Sequence, residues 1–240
     1  MASTRLVLWD VDGTLVHAGD GAVRAFDVAV ERVIGRPAGS HRVQMSGKTD
    51  PQIALEILEF AQVGAPEAHE HLPLVLEHLE NELAAAVHHL QEHGRVMPGV
   101  VELLARLHVA PEIVSSVLTG NIEPNGRLKV AAFGLDGWLD LDVGAYGSDD
   151  HDRNKLVPIA LAKLASQRAT QLWDSELRGV DVWVVGDTPR DLECARAGGA
   201  RCLLVGTGRF STEELRALGP DAAVDDLRDV GAVYELLTRG

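Results

Sequence analysis

Short and almost continuously apolar runs recur along this chain, and stretches with helical periodicity separate them. The runs are rich in Val, Leu, Ile and Trp, a composition typical of strands that are buried on both faces of a parallel sheet. Apolar residues in the intervening stretches 100–107, 156–164 and 192–197 recur at helical spacing. Strand and helix therefore alternate, which predicts an α/β fold, a Rossmann-like core built on a parallel sheet. The predicted strands are residues 6–9, 112–118, 139–143, 180–185, 200–205 and 222–224.

The interval between the first two predicted strands is too long for a simple crossover. It spans roughly a hundred residues, whereas a strand-helix-strand unit needs about 30. The excess consists of apolar stripes at helical spacing, without further strand-like runs. The sequence therefore predicts an all-helical insert at 16–95 inside a core formed by 1–15 and 96–240.

Three helices are predicted within this insert. The first follows Asp20 as a plausible N-cap, and the second follows an Asp50–Pro51 pair in which Asp50 is the expected N-cap. The third ends at Gly94. Its apolar stripe comprises Leu72, Leu76, Leu79, Leu83, Val87 and Leu90.

The charge of the chain restricts its partners. The formal net charge is −14, which repels nucleic acid and anionic membranes, so neither is an expected partner. No apolar run approaches the ~18 residues of a membrane span, and the apolar N-terminal stretch is too short for a signal peptide. With only Cys194 and Cys202 and no disulfide framework, we expect a cytoplasmic protein. The oligomeric state stays open.

The most specific motif, DVDGTL at residues 10–15, directly follows the first strand. Asp10 and Asp12 stand two residues apart at a strand end, where their carboxylates can converge, and Gly13 permits an unusual turn. One carboxylate can act as a nucleophile and metal ligand, and the other as an acid or base. A plain turn rich in Asp and Gly is the alternative.

Two further strand ends carry polar side chains. Thr119 in the segment LTGN can hydrogen-bond a phosphate oxygen, although Thr119 can equally cap the helix that follows. Asp187 and Asp191 in GDTPRD can face one point, although Asp187 can also act as a helix cap. Ligands of open α/β sheets bind at such carboxyl ends. Several carboxylates crowded there require a cation, and Mg²⁺ prefers oxygen ligands.

DVDGTL, LTGN and GDTPRD, in this order, resemble the motifs of the haloacid dehalogenase superfamily of hydrolases. The resemblance covers essentially the whole chain. The insert resembles the helical cap of phosphoglycolate phosphatase-like and β-phosphoglucomutase-like members. Within it, the segment 47–51 is similar to a cap segment of that group, which makes Lys48 and Thr49 candidate substrate contacts.

The resemblance implies a role for each motif residue. Asp10 attacks phosphorus and forms a transient aspartyl-phosphate, and Asp12 protonates the leaving oxygen and then activates water. Thr119, with Gly120 and Asn121, binds the transferring phosphoryl group.

The resemblance also implies a metal site. Asp187 binds Mg²⁺ together with Asp10 and the backbone carbonyl of Asp12, and Asp191 supports or joins this set. The implied activity is a Mg²⁺-dependent phosphatase for a small, phosphoglycolate-like phosphorylated metabolite.

Such a site also needs a cation beside the phosphate. The usual Lys-Pro signature is missing, and the spacing to Pro158 favours Arg153, with Lys155 second. Lys129 is a further candidate. We expect one of these three cations to matter.

Several alternative functions share parts of this pattern. A dehalogenase does not need an acid such as Asp12, and a signalling receiver domain lacks the insert and has about half this length. A phosphonate hydrolase needs a cap lysine, for which Lys48 is available, and a phosphomutase differs mainly in its cap. A non-catalytic binding protein would be expected to have lost Asp10, Asp12 or Asp187, and all three are present.

Gly206-Thr207-Gly208 follows a predicted strand, and it is interpreted as a turn.

Overall fold

A computed structural model describes residues 4–19, 21–169 and 180–239 of the chain. Helices and strands alternate through most of it, and short 3₁₀ turns join some of them. The strands are β1 (Arg5–Trp9), β2 (Val16–His17), β3 (Arg95–Val96), β4 (Ile113–Thr119), β5 (Ala145–Tyr146), β6 (Asp181–Gly186), β7 (Arg201–Val205) and β8 (Ala222–Val224). The helices are α1 (Gly21–Ile34), α2 (Asp50–Phe60), α3 (Ala65–Ala85), α4 (Val87–His93), α5 (Val100–His108), α6 (Glu123–Ala132), α7 (Leu156–Ala169), α8 (Pro189–Ala197), α9 (Thr212–Ala217) and α10 (Val230–Thr238).

Six strands form a parallel sheet in the order β5-β4-β1-β6-β7-β8. The chain moves from β1 outward in one direction to β4 and β5, and in the other direction to β6, β7 and β8. The strand order therefore reverses at β1, which is where open α/β sheets bind ligands. The predicted α/β fold with a parallel, Rossmann-like sheet is confirmed.

The apolar character of β1 follows from its central position. Leu6 and Leu8 belong to the apolar cluster on one face of the sheet, and Val7 and Trp9 belong to the cluster on the other face. All four side chains are fully buried. Because both faces of the strand are covered, period-two alternation is absent from its sequence.

The predicted strand at 139–143 is wrong. The chain there is irregular, and the edge strand β5 follows it at Ala145–Tyr146. Leu139 and Val143 are buried in the clusters on opposite faces of the sheet, so the apolar run is explained by packing without strand pairing. Asp140 contacts β4 through two hydrogen bonds: its N–H donates to the Ser115 carbonyl at 2.8 Å, and its carbonyl accepts from the Ser116 hydroxyl at 2.6 Å.

Helices α1 to α4 occupy the interval between β2 and β3. Helices α1, α2 and α3 enclose an apolar cluster of their own, which includes Phe26, Val30, Ile57 and Leu79. Strands β2 and β3 pair antiparallel at the base of this helical segment, with Val16 opposite Val96 and His17 opposite Arg95. The segment is referred to below as the helical insert, and its bounds at 16–95 stay a prediction.

Two helix ends differ from the sequence predictions. The stripe that ends at Gly94 is divided between α3 and α4, because the backbone turns at Ala86. The N-cap of α2 is Thr49, one residue before the expected Asp50, because the Thr49 side chain accepts a hydrogen bond from the Gln52 N–H and Gln52 completes a capping box. The N-cap predicted at Asp20 lies outside the described residues.

Among the described helices, none combines the length and the hydropathy that a membrane crossing requires.

Candidate active site

A cavity of about 540 Å³ lies between the helical insert and the carboxyl ends of the central strands. The sheet side of its lining comes from residues that follow β1, β4, β6 and β7, and the opposite side from α1, α2 and the segment before α2. The lining includes Asp10, Asp12, Gly13, Ala22, Val23, Phe26, Met45, Lys48, Asp50, Ile53, Thr119, Gly120, Asn121, Lys129, Arg153, Asp187, Thr207, Gly208 and Arg209.

Asp10 is the first residue after β1 and is only 6% exposed. Its N–H donates to the Val185 carbonyl at 2.8 Å, which ties it to the neighbouring strand β6. One carboxylate oxygen, Oδ1, accepts a hydrogen bond from Arg153 Nη2 at 2.8 Å. The strand end therefore fixes both the backbone and the carboxylate of Asp10.

Asp187 follows β6, the strand next to β1, and is 3% exposed. Thr14 Oγ1 donates to Asp187 Oδ1 at 3.3 Å. Two glycines make room for the carboxylate: an added Cβ would lie 2.5 Å from Asp187 Oδ2 at Gly13 and 1.6 Å from it at Gly208. Gly13 also has a φ of 94°, which favours glycine. Both glycines are therefore required by the position of Asp187.

Asp10, Asp187 and Asp191 form a buried cluster. One carboxylate oxygen from each lies within 4.8 Å of the others. Burial raises the pKa of Asp10 to about 7, with the Arg153 guanidinium opposing the rise. Burial, and then the charges of Asp10 and Asp191, raise the pKa of Asp187 to about 9. This cluster therefore resists carrying its full negative charge without a cation.

Asp191 has both carboxylate oxygens engaged. Oδ1 accepts a hydrogen bond from Arg153, and Oδ2 accepts from the N–H and the hydroxyl of Thr188 at 2.9 and 2.7 Å. Thr188 is the N-cap of α8, and Asp191 completes its capping box. Asp187 is therefore not the helix cap that the sequence left open.

Arg153 connects the two acids. It lies in a 3₁₀ turn before α7, is 5% exposed and pairs with both Asp10 and Asp191. Burial alone would lower the pKa of the guanidinium, but the carboxylates of Asp191 and Asp10 outweigh it and raise the pKa. Its Nε is buried without a hydrogen-bond partner among the described residues. Arg153 is therefore a fixed cation beside Asp10.

Lys129 provides a second cation at the site. Its Nζ lies 2.8 and 2.7 Å from the two carboxylate oxygens of Asp12 and 2.7 Å from Asn121 Oδ1. The Asn121 amide also donates to Asp12 Oδ2 at 2.7 Å. The Asp12 side chain is thus directed toward β4 and α6, and it is not part of the cluster formed by the other three acids.

Of the three candidate cations, the structure brings two to the cavity. Arg153 and Lys129 line it, whereas Lys155 pairs with Asp150 at 3.0 Å and its side chain is 56% exposed. Which of the candidate cations contacts the phosphate stays a prediction, and the structure shows that cations approach the carboxylates from two sides. Arg153 comes from the turn before α7, and Lys129 from one turn before the end of α6.

Thr119 is the last residue of β4 and is 1% exposed. Its hydroxyl oxygen accepts hydrogen bonds from the Asn121 N–H at 3.2 Å and from the Asn121 amide at 2.7 Å. Thr119 does not cap α6, whose N-cap is Ile122. Its hydroxyl is therefore held at the strand end beside the cavity.

The insert contacts the β4 end through the start of α2. Asp50 Oδ2 accepts a hydrogen bond from the Ile122 N–H at 2.8 Å, so a residue of the insert caps α6. The Asp50 N–H donates to the Gly120 carbonyl at 2.7 Å, and Thr49 Oγ1 donates to the His151 carbonyl at 2.9 Å. Burial raises the pKa of Asp50 to about 6.

Lys48 and Thr49 occupy different positions relative to the cavity. Lys48 lines it, and its ammonium group pairs with Glu56 on α2. A Cβ at Gly120 would lie 2.0 Å from the Lys48 carbonyl, so the two backbones approach closely. Thr49 is fully buried and caps α2, and it is not among the residues that line the cavity, so its substrate contact stays a prediction.

Sequence reasoning missed the loop that follows β7. Gly206-Thr207-Gly208 is a turn, as predicted, but Thr207, Gly208 and Arg209 also line the cavity. Thr207 Oγ1 donates to the Gly13 carbonyl at 2.6 Å, which holds the loop against the first motif. The position of this loop after a strand of the central sheet is the signal that could have identified it.

Comparison with known proteins identifies the family. A family model described as haloacid dehalogenase-like hydrolase matches residues 7–196. A Dickeya dadantii protein named "Probable phosphatase IndB" is 29% identical, with 97% of this chain and 94% of that protein covered. A phosphoglycolate phosphatase of Rhodospirillum rubrum is 27% identical, with coverages of 95% and 89%.

Solved structures agree on the fold. The crystal structure of CbbY from Rhodobacter sphaeroides in complex with phosphate has a TM-score of 0.66 to this chain at 20% identity, with coverages of 95% and 96%. At that identity the likeness concerns the fold alone. Because the family model covers the first motif, the β4 end and the β6 end, the resemblance seen in the sequence is confirmed. The chain belongs to the haloacid dehalogenase-like hydrolases.

Proposed function

We propose that the protein is a Mg²⁺-dependent phosphoric monoester hydrolase that acts on a small phosphorylated metabolite. The observation that carries this proposal is the buried position of the Asp10 carboxylate at the end of β1, between a paired arginine and two further acids. A carboxylate held beside fixed positive charge can attack phosphorus, because the charge gained by the phosphoryl oxygens is offset there. The names of the relatives, which include phosphoglycolate phosphatases, support the same reaction.

The donor set fits a hard divalent cation. Asp10 and Asp187 offer carboxylate oxygens in a buried cluster, and burial raises their pKa values to about 7 and about 9, so a bound cation would offset the cost of ionising them. Both side-chain oxygens of Asp191 are engaged, so we assign it to the positioning of Arg153 and α8. Asp12 would contribute its backbone carbonyl. When bound, Mg²⁺ supplies positive charge beside the phosphate oxygens.

In the first step, an Asp10 carboxylate oxygen attacks phosphorus and the bond to the ester oxygen breaks. Arg153, 2.8 Å from Asp10 Oδ1, holds the nucleophile in place and offers charge to the phosphoryl group. The Thr119 hydroxyl and the backbone around Gly120 and Asn121 line the same cavity and can donate to the phosphoryl oxygens. The product of this step is an aspartyl-phosphate.

Asp12 serves as the acid and then the base. It gives a proton to the leaving oxygen, and in the second step it takes a proton from the water that attacks phosphorus and regenerates Asp10. Lys129 and Asn121 orient its carboxylate, and its side chain stays 40% exposed, so water and substrate can reach it. The insert covers the cavity opposite these acids and limits the access of water.

Within the family, the structure gives a reason against one of two related activities, and the other is separated by the test below. A phosphonate hydrolase would need a free amine in the cap, but Lys48 is paired with Glu56. A phosphomutase would require a bisphosphate for turnover. We propose a phosphoglycolate-like substrate, that is, a phosphate ester that also carries an acid group.

The test is hydrolysis of p-nitrophenyl phosphate and of a panel of metabolite phosphates, with Mg²⁺ and with EDTA. We expect turnover that requires Mg²⁺, needs no bisphosphate and disappears in Asp10→Asn. Near-normal activity of Asp10→Asn, at an unchanged melting temperature, would refute the assignment of the nucleophile.

A further inference from the structure

Two arginines line the cavity without being committed to an acid. Arg95 on β3 and Arg209 after β7 are exposed and line the cavity, and the guanidinium group of neither makes an ion pair or hydrogen bond with another residue in the described part of the chain. The other basic side chains of the lining are engaged: Arg153 with Asp10, Lys129 with Asp12 and Lys48 with Glu56.

The two arginines reach the cavity from separate elements. Arg95 stands opposite His17 in the β2–β3 ribbon, and His17 also lines the cavity. Cross-strand neighbours have Cβ atoms about 5 Å apart, so the Arg95 and His17 side chains lie side by side at this edge of the cavity. Arg209 follows Gly208, the residue that lies against the Asp187 carboxylate. Positive charge is therefore presented by the insert base and by the β7 loop.

The insert side of the cavity is apolar. Val23 and Phe26 from α1, Met45 from the segment before α2, and Ile53 from α2 line it. Its volume of about 540 Å³ falls within the range of roughly 300–1,000 Å³ that is typical of sites for drug-sized molecules. A phosphoryl group with a two-carbon acid would leave most of this apolar surface uncovered.

The negative charge of the chain means that an anionic substrate needs local positive charge to bind, which Arg95 and Arg209 can supply. A chain with a formal net charge of −14 repels phosphate esters at a distance. The phosphoryl position already contains Arg153 and Lys129, and the carboxylates of Asp10 and Asp12 neutralise them. Arg95 and Arg209 therefore carry net positive charge that a second anionic group of the substrate can meet.

We propose that the substrate is an organic phosphomonoester with an apolar body and a second anionic group, and that Arg95 and Arg209 bind this second group. The proposal rests on the proposed phosphatase function and defines its substrate class. The phosphoryl group lies at Asp10, and the apolar body lies against Val23, Phe26 and Ile53. Phosphoglycolate shares the second acid group with this class but lacks the apolar body.

Three phosphonates, used as inhibitors of p-nitrophenyl phosphate hydrolysis, separate the two parts of the proposal. Methylphosphonate presents the head group alone, benzylphosphonate adds an apolar body, and 4-carboxybenzylphosphonate adds an anion at the far end. For the wild-type protein we expect the inhibition constant to fall about tenfold at each addition, because apolar burial and a charge-assisted hydrogen bond are each worth about that factor.

The double variant Arg95→Gln/Arg209→Gln isolates the anion-binding part, and the exposed Arg42→Gln, outside the cavity lining, is the matched control. We expect the double variant to weaken 4-carboxybenzylphosphonate at least about tenfold more than benzylphosphonate, and Arg42→Gln to weaken neither. Equal effects of the double variant on both inhibitors, or equal inhibition of the wild type by all three, would overturn the proposal.

A failure of this substrate proposal can be distinguished from a failure of the phosphatase assignment. A protein without Mg²⁺-dependent hydrolysis of p-nitrophenyl phosphate contradicts the phosphatase assignment. The dissociation constants of the same phosphonates, measured by isothermal titration calorimetry, would still test the arginines. Melting temperatures of the variants check that each one folds.

Discussion

Lys129 Nζ contacts both carboxylate oxygens of Asp12, at 2.8 and 2.7 Å, although 117 residues separate the two in sequence. The lysine is 3% exposed and also contacts Asn121. A buried ammonium group bound to a carboxylate in this way fixes the position of that carboxylate. Asp12 is therefore placed by α6, whereas Asp10 is placed by Arg153 from the turn before α7.

Lys129→Met should lower kcat for p-nitrophenyl phosphate by about tenfold or more. The substitution removes hydrogen bonds to Asp12 and Asn121, each worth roughly 1.5–3 kcal/mol when one partner is charged, and a misplaced acid transfers protons poorly. Lys155→Met is the matched control, because Lys155 pairs with Asp150 at the surface. Steady-state kinetics of both variants check this. If Lys155→Met loses as much activity as Lys129→Met, the assignment of cations to the site is wrong.

Arg153→Met should destabilise the protein by about 3 kcal/mol, because removal of one partner leaves buried charge unpaired. Asp10 and Asp191 both lose their cation in this variant. Urea unfolding followed by circular dichroism measures the change. Arg228→Met, which removes an exposed arginine paired with Asp226, should leave the unfolding midpoint unchanged. A midpoint of Arg153→Met equal to that of the wild type contradicts a buried ion-pair network.

Gly208→Ala should weaken Mg²⁺ binding and lower activity by at least about tenfold. The new methyl group would lie 1.6 Å from Asp187 Oδ2, so the carboxylate or the loop must shift, and small displacements at a catalytic site are costly. Gly137→Ala is the control, since a Cβ there meets nothing within 4 Å. The Mg²⁺ concentration at half-maximal activity measures the effect. Equal half-maximal Mg²⁺ concentrations for the two variants would show that the position of this loop does not affect the metal site.

The stability of the metal-free protein should fall as pH rises. The pKa of Asp10 is about 7 and that of Asp187 about 9, against 3.8 for an ordinary aspartate. Between about pH 4 and pH 9 these two groups therefore bind more protons in the folded state than in the unfolded state, so their contribution to the free energy of unfolding decreases with pH. The stabilisation that these groups contribute is complete below pH 4 and is lost through their folded-state pKa values.

Mg²⁺ should reverse this loss, because it favours the ionised carboxylates. We expect added Mg²⁺ to raise the melting temperature more at about pH 8 than at about pH 5. Thermal unfolding with EDTA and with Mg²⁺ at the two pH values provides the measurement. A melting temperature that is independent of pH in EDTA, with the same Mg²⁺ effect at both pH values, contradicts the account of the acidic cluster.

The sequence predicted those parts of the site that follow directly from strand ends. Asp10, Thr119 and Asp187 each stand at the carboxyl end of a strand, and parallel strands bring such ends to one edge of a sheet. Strand length and apolar character are local properties of the sequence, so the placement of these three residues at strand ends could be predicted from it.

Contacts between distant segments could not be predicted in the same way. Asp50 looks like a cap for its own helix, yet it caps α6 by accepting from Ile122, 72 residues away. Lys129 looks like a surface cation in the sequence, yet in the structure it is buried and its ammonium group contacts the Asp12 carboxylate. Both side chains have a plausible local interpretation, and only the packing of the insert and of α6 on the sheet selects the long-range partner.

Apolar patterning also failed where burial occurs without pairing. The run at 139–143 satisfies the composition of a strand, but its side chains pack on both faces of the sheet, and its backbone bonds to β4 only through Asp140, to Ser115 and Ser116, and otherwise within turns. Strand β5 comprises only Ala145–Tyr146, which is too short to produce a periodic signal.

The aspartyl-phosphate on Asp10 is the central claim, and acid-quenched mass spectrometry of the enzyme during turnover tests it most directly. Asp12→Asn with p-nitrophenyl phosphate is the suitable background, because p-nitrophenolate leaves without an acid whereas the second step still needs a base, so the intermediate accumulates. The account predicts one added phosphoryl group on the peptide that contains Asp10, dependent on Mg²⁺ and absent from Asp10→Asn. Two results together would contradict it: phosphate release without this adduct, and continued turnover by the Asp10→Asn variant.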